Sequence, residues 1–209
     1  MTEALQTNEL YDNAKRQQIL DGARRCFVEQ GFDGASMNDI VKAAGVSKGT
    51  VYAYFPSKEK LFEALVFQDR RRQAEQTIYI GDENRPIEEV LYDLGLRMSR
   101  LITSDETIAY TRMIMAVAAK FPDVGSAFYE AGPAYSISKI APYLKRKMDE
   151  GVLEQFDPEH AAMQFGELVH CGLLKPKLFA SPRFKSKLSL EEAVEAGVRL
   201  FLRGLACKQ

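Results

Sequence analysis

Apolar residues recur three and four positions apart along most of the chain, which is the spacing of amphipathic helices. Between Ala14 and Gln30 they fall on one helical face, and Gly31 ends the run. Strand-like alternation of apolar and polar residues, bounded by turns, is absent from the sequence. The pattern therefore predicts an all-α fold of about nine helices, preceded by a polar, loosely ordered arm at residues 1–12.

Capping signals divide this pattern into separate helices. Ser36–Asp39 and Ser189–Glu192 fit capping boxes, in which a serine and an acid three residues later satisfy free backbone N–H groups. Gly45 ends one helix, Ser47 caps the next, and Asp157 stands before a proline at a first helical position. Residues 175–187 are predicted to be a loop. The predicted helices cover about 14–30, 37–44, 48–55, 58–80, 86–102, 105–120, 133–150, 158–174 and 190–206.

Composition is that of a globular protein, with 46% hydrophobic and 27% charged residues. No apolar run approaches the ~20 residues that a membrane-spanning helix needs, and the first residues lack the apolar core of a secretory signal. We therefore expect a cytoplasmic protein without a membrane partner. The three cysteines are far apart, and His160 and His170 lie too far apart for one helix face to present both to a metal. We expect neither a metal site nor a cofactor.

Net charge gives only a local indication of a nucleic-acid partner. The formal charge of the chain is −1, but residues 42–60 contain four lysines against one acid, Glu59. An acidic second domain can mask a basic surface of this kind. The charge pattern alone therefore does not decide whether the chain binds DNA.

The clearest motif lies at residues 36–55, where two short predicted helices meet at the sequence AAGVSKG. A tight helix-turn-helix needs a glycine in the turn, here Gly45, and small residues before it. In the second helix Val51 and Phe55 are spaced to pack inward, and Tyr52 is expected to flank the core. The groups expected to project outward are small, hydroxylic or cationic: Lys48, Thr50, Ala53 and Tyr54. Such groups suit contacts with phosphates and base edges. The alternative is a structural helical hairpin, since any hairpin can contain glycine and lysine.

The stretch from Ile19 through GVSKGTVYAYFPSKEKLF to Leu65 resembles the N-terminal domain of the TetR family over about residues 17–65, without a gap. Val51 replaces the family's commoner leucine, and Ala53 stands where many members carry a larger side chain. The resemblance implies a DNA-binding domain at 13–57 and a ligand-binding and dimerisation domain at 58–209. It also implies phosphate contacts from Ser36, Thr50, Tyr52, Tyr54 and Lys58, and base contacts from Ser47, Lys48, Gly49 and Thr50.

The remainder, with AAKFPDVGSAF at 118–128, resembles the AefR-like subgroup of TetR C-terminal domains, although the apolar Val117 stands where that subgroup often has an acid. The resemblance implies a homodimer on a palindromic operator and a repressor released by a small-molecule effector.

Arg112 either anchors an anionic ligand or forms a structural ion pair. Candidate ligand-binding residues are Tyr92, Tyr110, Arg112, Met113, Phe121, Tyr143 and His170, for which plain core packing is the alternative. Candidate dimer-interface residues are Ala162, Phe165, Gly166, Val169, Val194, Gly197, Val198 and Phe201, which could instead pack only within their own chain.

Two other functions remain as alternatives. An all-α enzyme is disfavoured because the sequence shows no nucleophile–base pair, metal set or phosphate loop, and GVSKGT lacks the P-loop spacing. We therefore expect a protein that is not an enzyme. The second alternative is a ligand-independent DNA-binding protein of the same fold that acts through a protein partner.

Overall fold

The structure, a computed structural model, describes residues 2–181 and 186–205, with side chains from Asp12 onward. The described residues form helices and no β-sheet, which confirms the predicted all-α class. None of these helices is long and apolar enough to cross a membrane. The helices are α1 (Thr2–Gly34), α2 (Met37–Ala44), α3 (Lys48–Tyr54), α4 (Lys58–Thr77), α5 (Ile87–Ile102), α6 (Asp105–Ala118), α7 (Pro122–Tyr129), a π-helical segment (Glu130–Ala134), α8 (Tyr135–Asp149), α9 (Pro158–Val169), α10 (Leu174–Leu178) and α11 (Leu190–Leu205).

The predicted capping boxes and helix-ending glycines are found at the positions that the sequence indicates. Ser36 and Asp39 form the expected capping box of α2, and Gly45 adopts a left-handed conformation with φ of 64°. Ser189 and Glu192 exchange the two hydrogen bonds of the second box. Gly31 has φ of 70° and breaks the helical path inside α1. Local polar groups therefore set these boundaries, as the sequence indicates.

Four predictions about helix extent are wrong. Between the helices predicted to end at 120 and to begin at 133, the chain forms α7, which begins at Pro122, a residue that suits a first helical position. Helix α1 begins at Thr2, so backbone helix replaces the loose arm predicted for residues 1–12, where Glu3-Ala4-Leu5-Gln6 is made of good helix formers. Helix α9 stops at Val169, because the chain turns through Gly172 with φ of 77°. The short helix α10 then occupies part of the predicted loop 175–187, of which 182–185 lie outside the described residues.

The chain forms two compact units. The first extends to Asp69 and includes Val117–Phe128, and the second contains Arg70–Ala116 and the residues from Tyr129 onward. The boundary falls within α4, whereas the sequence predicts a boundary at 57/58. The first turns of α4 belong to the first unit because Leu61, Phe62 and Leu65 are buried in its core.

The first unit is built around an aromatic cluster. The Phe27 and Phe62 ring centroids lie 4.8 Å apart, and the Phe32 ring lies 4.9 Å from Phe62 and 5.7 Å from Phe121. Gly22 brings α1 so close to α2 that a Cβ at this position would lie 2.6 Å from the Ala44 nitrogen. The cluster packs α1 against α4, and the close crossing at Gly22 fixes α2 on α1.

The second unit has a core formed by α5, α8, α9 and α11. Two glycines allow its helices to cross closely. A Cβ at Gly95 would lie 2.9 Å from the Val169 side chain, and one at Gly197 would lie 2.6 Å from the Leu168 carbonyl oxygen. The core residues that surround these crossings include Leu91, Leu94, Tyr143, Leu144, Phe165, Val194 and Phe201, all of them buried.

Candidate DNA-binding interface

Helices α2 and α3 form the predicted helix-turn-helix in the first unit. The turn contains Gly45, and the Ser47 hydroxyl caps α3 by accepting a hydrogen bond from the Thr50 backbone at 3.1 Å. Val51 and Phe55 are buried, with 0% and 4% exposure, and anchor α3 to the core. The inward positions predicted from the apolar spacing are therefore confirmed, and the opposite face of α3 is left to solvent.

That exposed face carries the polar groups which the sequence assigned to DNA. Lys48, Gly49 and Tyr52 are exposed, as is Ala53. The Lys48 ammonium lies 5.8 Å from the centre of the Tyr52 ring, so it remains on the surface of α3. The Thr50 hydroxyl is 2.7 Å from that of Ser47, which ties both hydroxyls to the start of the helix. Lys48 and Tyr52 are thus the longest side chains that this face presents.

Ser36 and Tyr54 make hydrogen bonds within the protein. The Ser36 hydroxyl caps α2 and lies 2.5 Å from the Asp39 carboxylate. The hydrogen bonds that the Ser36 hydroxyl and backbone N–H donate to this carboxylate lower the pKa of Asp39. The Tyr54 hydroxyl donates to the Asp12 carboxylate of α1 at 2.5 Å. These contacts do not test whether Ser36 and Tyr54 bind phosphates, as the resemblance implies. To bind a phosphate, each hydroxyl would have to give up or share the carboxylate that it contacts here.

Lys58 occupies a structural position at the end of α1. Its ammonium donates to the carbonyl oxygens of Phe32 at 2.7 Å and Ala35 at 2.9 Å, and it lies 4.5 Å from the centre of the Phe32 ring. The last carbonyl groups of a helix attract cations, because they lack partners within the helix and carry the negative end of its dipole. The implied phosphate contact of Lys58 therefore competes with two hydrogen bonds that hold α1 to α4.

Three side chains of α1 that the sequence analysis did not single out contact the helix-turn-helix on its buried side. Gln18 donates its side-chain amide to the Ala44 carbonyl oxygen at 2.8 Å, and Arg25 donates to the Ala43 carbonyl oxygen. The Arg16 guanidinium lies 5.4 Å from the Phe55 ring centre. These contacts join residues 18 to 39 positions apart, so no local pattern in the sequence could have indicated them.

The candidate ligand-binding residues have different surroundings. Arg112 is exposed and donates to the carbonyl oxygens of Leu178 at 2.8 Å and Lys177 at 2.6 Å, so it caps α10. Neither of the two predicted roles, ligand anchor or ion pair, describes these contacts. The half-buried Phe121 ring meets the Phe32 ring edge to face in the first unit. In the second unit Tyr92, Tyr110 and Met113 are half-buried, and Tyr143 is fully buried.

Three of these candidates, Tyr110, Tyr143 and His170, carry buried polar atoms. The Tyr143 hydroxyl and His170 Nδ1 have no hydrogen-bond partner among the described residues. Burial raises the pKa of Tyr143 to about 12 and lowers the pKa of His170. Both groups therefore favour their neutral forms, in which they retain hydrogen-bonding capacity.

The candidate dimer-interface residues lie mainly in the core of their own chain. Ala162, Phe165, Val169, Val194, Gly197, Val198 and Phe201 are buried, and Gly166 is half-buried. The opposite faces of α9 and α11 are exposed and include Met163, 42% exposed, and Leu200, 59% exposed. Within one chain the predicted residues therefore pack against their own core, which is the alternative given for them, and the exposed faces of α9 and α11 carry other side chains.

Comparison with known proteins places both units in one family. Residues 19–65 match the tetR family of bacterial regulatory proteins, and residues 89–206 match the C-terminal domain of AefR-like transcriptional repressors. The HTH-type transcriptional repressor AcnR of Corynebacterium efficiens is 50% identical over 60 residues, which are 29% of this chain and 32% of AcnR. The chain thus aligns with about a third of this curated relative.

Two solved structures are similar over nearly the whole chain. The flavonoid-responsive regulator FrrA is 32% identical, with a TM-score of 0.81 over 94% of this chain and 100% of FrrA. A TetR-family transcriptional regulator from Mesorhizobium loti MAFF303099 is 27% identical, with a TM-score of 0.80 over 93% of this chain and 98% of its own. Together with the helix-turn-helix and the helical second unit, these matches show that the chain belongs to the TetR family of bacterial regulatory proteins and has an AefR-like C-terminal domain.

Proposed function

We propose that the protein is a transcriptional repressor that binds a palindromic operator as a homodimer and releases it when a small molecule binds the second unit. The observation that carries the proposal is the exposed face of α3, which presents Lys48 and Tyr52 on a helix anchored by Val51 and Phe55. The relative AcnR is named as a repressor, which supports the same direction of regulation.

Lys48 is proposed to contact base edges in the major groove, because a lysine near the start of a recognition helix is a flexible donor to guanine O6 and N7. Thr50 and Tyr52 are proposed to contact phosphates beside it. Contacts of these two kinds have different consequences, since base contacts give sequence specificity and phosphate contacts fix the position of the helix.

The DNA-binding proposal can be tested with operator fragments selected from genomic DNA by the purified protein. Lys48→Ala should weaken operator binding by about 1–3 kcal/mol at fixed salt, as measured by fluorescence anisotropy. Lys145→Ala is the matched control, because Lys145 is an exposed lysine of α8 paired with Asp149 in the second unit. Equal operator affinities for the Lys48 variant and the wild type would contradict the assignment.

The homodimer is proposed to form through the exposed faces of α9 and α11, where Met163 and Leu200 provide apolar contacts. The buried residues of both helices support this face from below. Leu200→Asp should shift the protein toward monomer in sedimentation analysis, because it would place a charge in an apolar contact. Val152→Asp is the control, since Val152 is 45% exposed and lies outside both helices. A Leu200 variant that stays dimeric would exclude this face.

Effector response is proposed to work by population shift: the effector binds better to a conformer whose two recognition helices are wrongly spaced for successive turns of DNA. The name of FrrA describes a regulator that responds to a small molecule, which supports such a response here. Operator affinity should therefore fall when a binding compound is titrated. If no compound that binds the protein weakens operator binding, the ligand-independent alternative is favoured.

A further inference from the structure

The C-terminal end of α3 is joined to α1 by an exposed carboxylate. The Tyr54 hydroxyl donates a hydrogen bond to the Asp12 carboxylate at 2.5 Å, across 42 positions of the sequence. One turn later on α1, the Arg16 guanidinium lies 5.4 Å from the centre of the Phe55 ring. Asp12 is exposed and Tyr54 is half-buried. The helix that carries the proposed DNA contacts therefore ends beside an acidic side chain that solvent can reach.

The position of α3 does not depend on this carboxylate. Val51 and Phe55 hold the helix in the core with 0% and 4% exposure, and the Ser47 hydroxyl caps its start. A hydrogen bond between side chains at the surface adds little to stability, because water competes for both groups. The packing of the helix-turn-helix therefore gives no reason for an acid at position 12.

The charge of Asp12 is also opposite to that of its surroundings. Residues 45–58, which contain the turn, α3 and the start of α4, include two lysines and no acid. Double-stranded DNA carries one negative charge for about every 1.7 Å of its axis, so a carboxylate beside a DNA-binding helix is repelled by the backbone. Asp12 thus brings to the end of α3 a charge that opposes DNA binding.

Asp12 and a DNA phosphate compete for the same proton. The Tyr54 hydroxyl has a single O–H to donate, and both a carboxylate and a phosphate oxygen can only accept. While this proton is donated to Asp12, Tyr54 cannot make the phosphate contact that the TetR resemblance implies for it. The contact within the protein therefore has to break before the contact with DNA can form.

We propose that Asp12 limits the affinity for DNA by holding the Tyr54 hydroxyl, which moves to a backbone phosphate when DNA binds. The inference rests on the proposed DNA contacts of α3 and adds a residue outside the helix-turn-helix that weakens them. Phosphate contacts carry no sequence information, so Asp12 lowers operator binding and non-specific binding by the same factor. Lys48 differs in this respect, because its proposed base contact acts on the operator.

A double-mutant cycle tests whether Asp12 acts through Tyr54. Fluorescence anisotropy measures binding of the full-length wild type, Asp12→Ala, Tyr54→Phe and the double variant to the operator and to a scrambled duplex of the same length. Asp12→Ala should bind both duplexes about fivefold more tightly, because the hydroxyl is free for a phosphate and a repelling charge is removed. Adding Tyr54→Phe to Asp12→Ala should weaken binding by about threefold, whereas Tyr54→Phe alone should change it by less than about twofold.

Glu29→Ala is the matched control, because Glu29 is an exposed acid of the same helix. At about 1.5 Å per residue it lies about 26 Å from Asp12 along α1. This distance is well beyond the Debye length of about 10 Å at about 0.1 M salt, so the control should bind both duplexes as the wild type does. Circular dichroism melts of all variants show whether a change in affinity follows a change in stability.

Three results would overturn the proposal. Weaker DNA binding by Asp12→Ala would mean that Asp12 positions α3, and unchanged binding would mean that its contact with Tyr54 has no effect on DNA. An equal gain from Asp12→Ala with and without the Tyr54 hydroxyl would leave only charge repulsion. If Lys48→Ala binds the operator as the wild type does but the cycle shows the expected coupling, the proposed base contact fails and the role of Asp12 stands.

Discussion

The crossing of α1 and α2 at Gly22 predicts that the smallest possible enlargement will damage the DNA-binding unit. A Cβ at position 22 would lie 2.6 Å from the nitrogen, 2.7 Å from the Cα and 2.8 Å from the Cβ of Ala44. These neighbours are mostly backbone, which cannot rotate away, so α2 would have to move. Overpacking of this kind costs about 1–3 kcal/mol, and it outweighs the gain of up to about 1 kcal/mol from alanine's higher helix propensity.

Because the clash is with backbone, we take the upper end of the overpacking cost, which leaves about 2 kcal/mol after the propensity gain. Gly22→Ala should therefore lower the melting temperature by roughly 4–8 °C, given about 2–4 °C for each kcal/mol in a chain of this size. Operator affinity should fall as well, since a displaced α2 carries α3 with it. Circular dichroism melts at one protein concentration measure the first effect, and anisotropy measures the second. Gly34→Ala, in the same helix, is the control, because its Cβ would meet only the Gln30 side chain at 3.5 Å. If Gly22→Ala is as stable as Gly34→Ala, the crossing is more adaptable than this reasoning allows.

Three further outcomes follow from the contacts described above. Gly197→Ala should destabilise the protein by about 1–3 kcal/mol in urea unfolding, because its Cβ would lie 2.6 Å from the Leu168 carbonyl oxygen; an unchanged midpoint would contradict the close crossing. Lys58→Met should reduce the free energy of unfolding by about 1–3 kcal/mol, because the variant loses two hydrogen bonds to backbone carbonyl oxygens. If Lys58 contacts a phosphate instead, the same variant should lower the slope of operator affinity against salt concentration by about one unit. Burial lowers the pKa of His170 in the folded state, so protonation of His170 favours the unfolded chain. The free energy of unfolding should therefore fall as the pH drops below about 6.5, the ordinary pKa of histidine. The His170→Asn variant should lose less stability over this pH range, and a loss equal to that of the wild type would exclude His170 as the cause.

The parts of the fold that the sequence predicted well depend on neighbours within about four residues. The capping boxes at Ser36 and Ser189, the turn at Gly45 and the inward positions of Val51 and Phe55 all belong to this group. Each depends on a side chain acting on its own backbone or on helical periodicity, so the signal and its effect lie in the same short stretch. The helix-turn-helix was predictable for this reason, and its resemblance to a known family extended the prediction to the second unit.

The roles of single charged residues were not predictable in the same way. Lys58 contacts carbonyl groups 26 and 23 residues earlier, and Arg112 contacts those 65 and 66 residues later. A lysine or arginine has the same appearance in the sequence whether it meets a phosphate, a ligand or a helix end. Only the fold determines which acceptor is nearest, so the residue type predicted hydrogen bonding but not the partner.

The dimer-interface prediction shows the same limit for apolar residues. The apolar face of α11 correctly indicates burial, but periodicity does not say what covers it. In the structure Gly95 and Gly197 let α5 and α9 approach closely enough to cover Val194, Val198 and Phe201 within one chain. The face that remains exposed for the proposed dimer contact is the opposite, less apolar one with Leu200. Substitutions at Phe201 should therefore lower the stability of the single chain, whereas a charge at Leu200 should weaken association between two chains. Sedimentation of the two variants at the same protein concentration distinguishes these effects, because only the Leu200 variant should be a folded monomer.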